Sequence, residues 1–255
     1  MTEFIRTALR SSYTRFCHSQ FKATEPVAIN VWESIRTKHN PHNAIKDILA
    51  PVFRKKHPYS GSNPLLKDAL RGLELGTWAI DSRAADRLWQ YLDEKRPNTV
   101  LEFGSGTSTC VFSKWMMANN PNGTVISVDQ HESEAAKTTD LLKERGLDPL
   151  THVINMPMRP DDRYDINLSQ IKELLNDRLV DILFTDGPAG RDGCRDNTFI
   201  ETRDLLADNA LWFLHDSLRD GEMNILREWE SAGATPMGII PFGMGLAVGT
   251  WRRKV

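Results

Sequence analysis

The chain has 255 residues, 40% of them hydrophobic and 26% charged, with a formal net charge of −2. That is enough apolar material for a substantial core, either one large α/β domain or one domain with an appendage. No apolar run approaches the ~20 residues that cross a bilayer, and no secretory hydrophobic region follows Met1.

The charge is unevenly spread: residues 1–97 carry 16 Lys and Arg against 10 Asp and Glu, and the remainder 16 against 24. A basic flank of this kind attracts phosphate, acidic glycan, RNA or a membrane surface, although a solvated basic surface is the more common outcome. Cys17, Cys110 and Cys194 are widely spaced and form no CxxC or other metal-ligand pattern. This suits a reducing compartment, and a cytoplasmic location is expected. Met1 to Gln20 is rich in Arg and Ser, as a transit peptide would be, but Glu3 argues against that and the segment is read as part of the protein.

Ile5, Leu9, Tyr13 and Phe16 recur about once per helical turn over residues 4–17, the pattern of an amphipathic helix. Five prolines between Pro26 and Pro64 then break the chain, leaving short helical pieces near 27–37 and 42–48. Arg54-Lys55-Lys56 reads as a solvated loop. Residues 1–79 are expected to form a helical, basic cap or lid, and 80–255 the main domain.

From Asp81 the pattern is regular. Asp81 or Ser82 caps a helix with apolar face Ala85, Leu88, Trp89 and Leu92, closed by Pro97. A strand, Val100 to Phe103, enters the turn Gly104-Ser105-Gly106 and a helix through Val111, Trp115 and Met116 follows. Next come a strand at 124–128 ending in Asp129, a helix at 132–145 stopped by Gly146, and a strand near 152–156. A helix at 168–175 precedes a strand at 180–185, which ends in Asp186-Gly187-Pro188. Residues 197–207 read as helix, 210–215 as strand and 221–229 as helix. Strands at 237–242 and 246–251 are separated only by Gly243-Met244-Gly245, so they form an antiparallel hairpin. The alternation predicts an α/β fold with a doubly wound, mostly parallel sheet.

Ligands of open α/β sheets bind beyond the carboxyl ends of the strands. Glu102 to Gly106, Asp129, Asp186 and His215-Asp216 all fall at such ends. Gly104 and Gly106 let backbone amides approach a ligand closely. Asp129, 25 residues after Gly104, stands about where a carboxylate takes both hydroxyls of a ribose. Each acid taken singly could be a turn former or a satisfied structural acid. A pyrophosphate cofactor wants a third glycine where this chain has Thr109. S-adenosylmethionine, which carries a sulfonium and an ammonium but no phosphate, is compatible with acids near the turn.

The segments VLEFGSGTS, VISVDQ, DILFTDGP and ALWFLHDS resemble the successive motifs of class I S-adenosylmethionine-dependent methyltransferases, over roughly residues 80–255. The resemblance implies a Rossmann-like seven-stranded sheet with an antiparallel C-terminal strand, and S-adenosylmethionine as cofactor. It further implies that Glu102, Gly104, Ser105, Gly106 and Thr107 hold the methionine end, that Asp129 holds the ribose, and that Gln130 lies near the adenosine. Ser108 stands where many members have a third glycine. DGPAGR and HDSLRDGE are also similar to segments of glucuronoxylan-type sugar O-methyltransferases. Catechol-type O-methyltransferases hold magnesium with an Asp after strand four and an Asp-Asn pair after strand five. Asp186 and Asp216 match two of these positions and Ser217 replaces the Asn, so a divalent metal is allowed by the pattern and not assigned.

The expected activity is methylation of a hydroxyl on a small molecule, sugar or glycan, with His215 as base and Asp186 or Asp216 orienting it or acting directly. The alternatives are an RNA or protein methyltransferase docking through the basic N-terminal part, a nicotinamide-dependent oxidoreductase, and a non-catalytic nucleoside-binding module. No NPPY-like motif is present, which counts against methylation of base amino groups. A small-molecule or glycan acceptor is expected rather than a nucleic acid. The sequence does not indicate the oligomeric state.

Overall fold

A computed structural model of the protein describes residues 26, 28–30, 56–76, 78–240 and 243–253. The helices expected over 4–17 and 42–48, most of that over 27–37, and Arg54-Lys55 lie outside the described residues.

The first full helix of the described residues, α1 (Pro64–Ala69), starts where Asn63 Oδ1 accepts from the backbone of Leu65 and Leu66. In the same way Asp81 caps α2 (Ser82–Lys95) through the amides of Arg83 and Ala84. These side-chain acceptors satisfy first-turn amides that no helix can satisfy internally. Arg96, in the left-handed region at φ 50°, ends α2 just before Pro97. There follow β1 (Thr99–Phe103), α3 (Thr107–Asn119), β2 (Thr124–Asp129), α4 (Glu132–Glu144) and β3 (Thr151–Asn155). The second half holds α5 (Leu168–Leu175), β4 (Val180–Thr185), α6 (Asn197–Thr202), β5 (Leu206–His215), α7 (Asp220–Ser231), β6 (Ala234–Ile240) and β7 (Leu246–Trp251).

The strands form one sheet in the order β3-β2-β1-β4-β5-β7-β6, with β7 antiparallel to both neighbours. Chain order therefore reverses beside β1, with β2 on one flank and β4 on the other. Side chains alternate across the sheet with period two. Val100, Val125, Phe184 and Phe213 pack with α2 and α3 on one face. Leu101, Phe103, Val128, Leu183, Trp212 and Leu214 pack with residues of α5, α6 and α7 on the other. The same alternation puts Glu102 on the Val100 face, under α3, and pairs it in register with Ser127 of β2.

Two regions depart from the pattern reading. The helix expected over 197–207 stops at Thr202 with a 3-10 turn, Arg203–Leu205, and β5 begins at Leu206, four residues before the expected start. Leu206 is fully buried and pairs with Val180, while Asn209 at φ 58° marks an irregularity that the polar pair Asp208-Asn209 disguised as loop. β6 likewise begins at Ala234, three residues before the expected start. In the described part of residues 1–79, Leu66, Ala69, Leu70 and Leu75 pack in one cluster with α2 and α3. Among the described residues no helix is long and apolar enough to cross a membrane.

Candidate functional site

The site is built where β1 runs into its glycine turn. Gly104 has φ +100°, and a Cβ placed on it would lie 2.7 Å from Gly187 N. This close approach lets the turn after β4 reach β1, where the amides of Asp186 and Gly187 both donate to Phe103 O at 2.7 Å. Tyr164, fully buried and packed on Phe103 at 5.3 Å, lies beneath that junction. Gly106 also has a positive φ, +151°, but a Cβ there would meet nothing within 4 Å. Backbone is thus exposed to open space at the N-terminus of α3, the arrangement that suits a closely bound ligand.

Glu102 holds this turn from below. One carboxylate oxygen, Oε2, accepts from the hydroxyls of Thr109 and Ser127, both at 2.5 Å. Thr109 Oγ1 in turn accepts from Gly106 N at 2.8 Å, tying the acid to the turn. The other oxygen, Oε1, is buried without a partner in hydrogen-bond geometry, although the Ser108 hydroxyl is near enough to favour the charged carboxylate. Burial pushes the carboxyl up to about 7, even though nearby hydroxyls favour its charged form.

Asp129, at the tip of β2, is 7% exposed. Its Oδ2 accepts from Ser105 N at 3.1 Å and Ser105 Oγ at 2.7 Å, and its Oδ1 accepts from His131 N at 2.9 Å. A carboxylate has about four lone-pair sites, so one on Oδ1 is left for a further donor. Gln130 reaches over the tip of β1. Its amide donates to Ala189 O at 3.0 Å and its Oε1 accepts from Ala189 N, a two-bond clasp to the loop after β4. The structure therefore brings Glu102, Gly104, Ser105, Gly106, Asp129 and Gln130 together at the adjoining tips of β1 and β2, with Thr107 opening α3. It adds Thr109, Ser127 and Ala189, which the motif reading left out.

The second group lies on the β4–β5 side. His215 Nδ1 is 2.8 Å from Asp186 Oδ1 and 3.7 Å from Asp216 Oδ1. Burial alone would lower the imidazole's pKa, but the two carboxylates outweigh it and hold the ring at about 9. Asp216 sits in the left-handed region at φ 58°, which Asp tolerates better than most residues. Its carboxyl is held below its ordinary value: burial opposes ionisation, but His215, Arg195 and Arg219 prevail. Arg219 bridges outward, 2.5 Å from Asp192 and 3.4 Å from the buried Glu222. The HDxxRxxE spacing thus encodes an ion-pair chain across the first turn of α7. Gly221 permits it by letting Gly193 approach so closely that a Cβ would lie 2.2 Å from Gly193 N.

Arg195, which no motif singled out, completes the group. Its side chain is 5% exposed, with Nη1 3.5 Å from Asp186 Oδ1 and Nη2 3.5 Å from Asp216 Oδ2. A signal for it was present in charge balance, since two acids and a histidine buried at one edge call for a cation. The ligand atoms of Asp186, His215 and Asp216 lie within 4.8 Å of one another, close enough for a metal ion. The guanidinium already lies 3.5 Å from a carboxylate oxygen of each acid. With Arg195 in place, these residues do not fit a divalent ion.

The sheet order, the antiparallel β7 and the glycine cradle at the β1 tip define the class I, Rossmann-like methyltransferase fold. Residues 101–217 match the family model described as a methyltransferase domain. Three solved structures share the architecture at low identity. A methyltransferase from Geobacter sulfurreducens is 19% identical with a TM-score of 0.51, over 76% of this chain and 92% of that one. An O-methyltransferase from Bacillus cereus, solved with S-adenosylhomocysteine, is 12% identical with a TM-score of 0.52, over 88% and 100%. The O-methyltransferase TomG from Streptomyces achromogenes, involved in tomaymycin synthesis and solved with S-adenosylmethionine, is 16% identical with a TM-score of 0.52, over 84% and 98%. No curated protein matches the sequence.

Proposed function

We propose that this protein is an S-adenosylmethionine-dependent O-methyltransferase acting on a hydroxylated small molecule or sugar. The observation that carries the reading is that the His215–Asp186 pair and the glycine cradle share one sheet edge, joined where Asp186 and Gly187 bond to Phe103 O. The cofactor fits the residues present. Glu102 Oε1 is an orphaned buried acceptor suited to an ammonium, Gly106 leaves open space, and Asp129 keeps acceptor capacity for a ribose hydroxyl. Structural relatives solved with S-adenosylmethionine or S-adenosylhomocysteine support the same choice.

When bound, the cofactor supplies an electrophilic methyl on sulfur. The protein's task is to align the acceptor oxygen in line with it, exclude water and remove the hydroxyl proton. Asp186 accepts from His215 Nδ1 and fixes the ring, which leaves Nε2 to take that proton. Burial of His215, at 8% exposure, keeps bulk water from competing for it.

The test is incubation with methyl-labelled S-adenosylmethionine and a panel of phenolic, aliphatic and sugar hydroxyl acceptors, read by mass spectrometry. Label on acceptor oxygen supports the reading. Label on nitrogen or on RNA, or none with cofactor bound, overturns it.

A further inference from the structure

We propose that Arg195 is the built-in cation of the acceptor site, standing where catechol-type enzymes hold a divalent metal and positioning Asp186 and Asp216 about His215, so that turnover needs no metal. The kinetic part of this proposal rests on the methyl-transfer reading; the metal-binding part does not.

The argument starts from location. Arg195 belongs to the loop between β4 and α6, and its side chain folds inward rather than toward solvent. It is tethered at both ends of the guanidinium. Nη1 donates to His215 O at 3.0 Å and Nε donates to Pro188 O at 3.4 Å. Those two carbonyls flank the β4 and β5 tips, so the group is fixed to the strands that carry the acids. The charged nitrogens then face Asp186 and Asp216 at 3.5 Å each. Arg219 Nη1 approaches the same Asp216 oxygen, Oδ2, also at 3.5 Å.

A divalent ion would need carboxylate oxygens at ~2.0–2.6 Å and would put two more positive charges beside a buried guanidinium. The protein cannot relieve that repulsion by swinging Arg195 into water without breaking its two carbonyl bonds. Conversely, taking away the guanidinium leaves two carboxylates and a histidine facing one another with less compensation, which is a ligand set looking for a cation. Arg195 touches neither cofactor nor acceptor in this account. It acts through the acids, as a positioning residue.

The experiment is a Mn2+ titration of the full chain followed by electron paramagnetic resonance, for wild type, R195A and R195K, paired with turnover in EDTA and in added Mg2+. Wild type and R195K are expected to show no specific Mn2+ site. R195A is expected to gain one, at least tenfold tighter than any residual Mn2+ binding by wild type and lost again when D216N is added. If R195A does not fold by circular dichroism, R195Q, which keeps a donor for His215 O, replaces it. Wild type binding Mn2+ as tightly as the alanine or glutamine variant overturns the proposal, as does a folded variant that gains no site. In turnover, wild type is expected to run equally in EDTA and Mg2+, and R195K to lose kcat rather than raise KM. A tenfold loss in EDTA overturns the proposal. Absence of turnover with any acceptor counts against the methyl-transfer reading instead, and the resonance titration still decides the role of Arg195.

Discussion

His215 Nδ1 donates to Asp186 Oδ1 at 2.8 Å, and Asp186 is in turn anchored by its own amide to the tip of β1. Because the two carboxylates hold the imidazole at about 9, only about one molecule in a hundred has a neutral ring at pH 7. If the ring takes the acceptor's proton, log kcat/KM rises with pH and levels near 9. His215→Gln should remove both the rise and the turnover, while S-adenosylhomocysteine affinity by calorimetry stays within about twofold. A wild-type profile flat between neutral pH and the plateau would contradict the role.

Glu102 gives a pH effect of a different kind, on stability. Its carboxyl is raised by burial from 4.5 to about 7, so in that window the folded state holds the proton more tightly than the unfolded chain. Stability therefore declines as pH rises through the window, and the loss is complete above it. Glu102→Gln carries no charge and should show a flatter curve, with its Tm advantage over wild type larger at pH 8 than at pH 5. Parallel curves would show that burial does not raise this carboxyl as described. Its orphaned Oε1 also predicts at least about tenfold weaker S-adenosylhomocysteine binding in this variant.

The two glycines of the turn separate packing from binding. Gly104→Ala would drive a Cβ to 2.7 Å from the Gly187 backbone, which has no flexible side chain to move aside. It should cost several kcal/mol, from roughly 1–3 kcal/mol of backbone strain plus the clash. Gly106→Ala meets nothing within 4 Å and should cost only about the strain, yet weaken the cofactor more than it lowers Tm. Urea titrations and calorimetry on both variants check the ordering, and equal stability losses would contradict it.

Much of the fold was legible because its signals are local. Alternation and turn residues placed five of the seven strands within two residues of their observed starts, and Gly243-Met244-Gly245 announced the antiparallel β7. The early start of β5 was hidden because Asp208 and Asn209 are polar, and only its pairing with β4 makes Leu206 a strand residue. The site divides the same way. Asp129, Asp186 and His215 stand at strand ends, where topology alone gathers them. Arg195 and Ala189 reach the site from a loop whose path depends on Gly193 meeting Gly221, a contact 28 residues apart that no spacing encodes. Glu102 was visible as an acid in a strand, but its place under α3, bonded to Thr109 and Ser127, follows from the register.

Asp129 links the glycine turn to β2 through Ser105, so the central claim, a nucleoside-sulfonium cofactor at this edge, is tested most directly there. The measurement is isothermal titration of the wild-type chain and Asp129→Ala with S-adenosylhomocysteine, with NADH as the competing nucleotide. The prediction is saturable one-to-one binding of S-adenosylhomocysteine to wild type, at least about tenfold weaker in the variant, and no binding of NADH. Equal affinity in both chains, or NADH binding in place of S-adenosylhomocysteine, would contradict it.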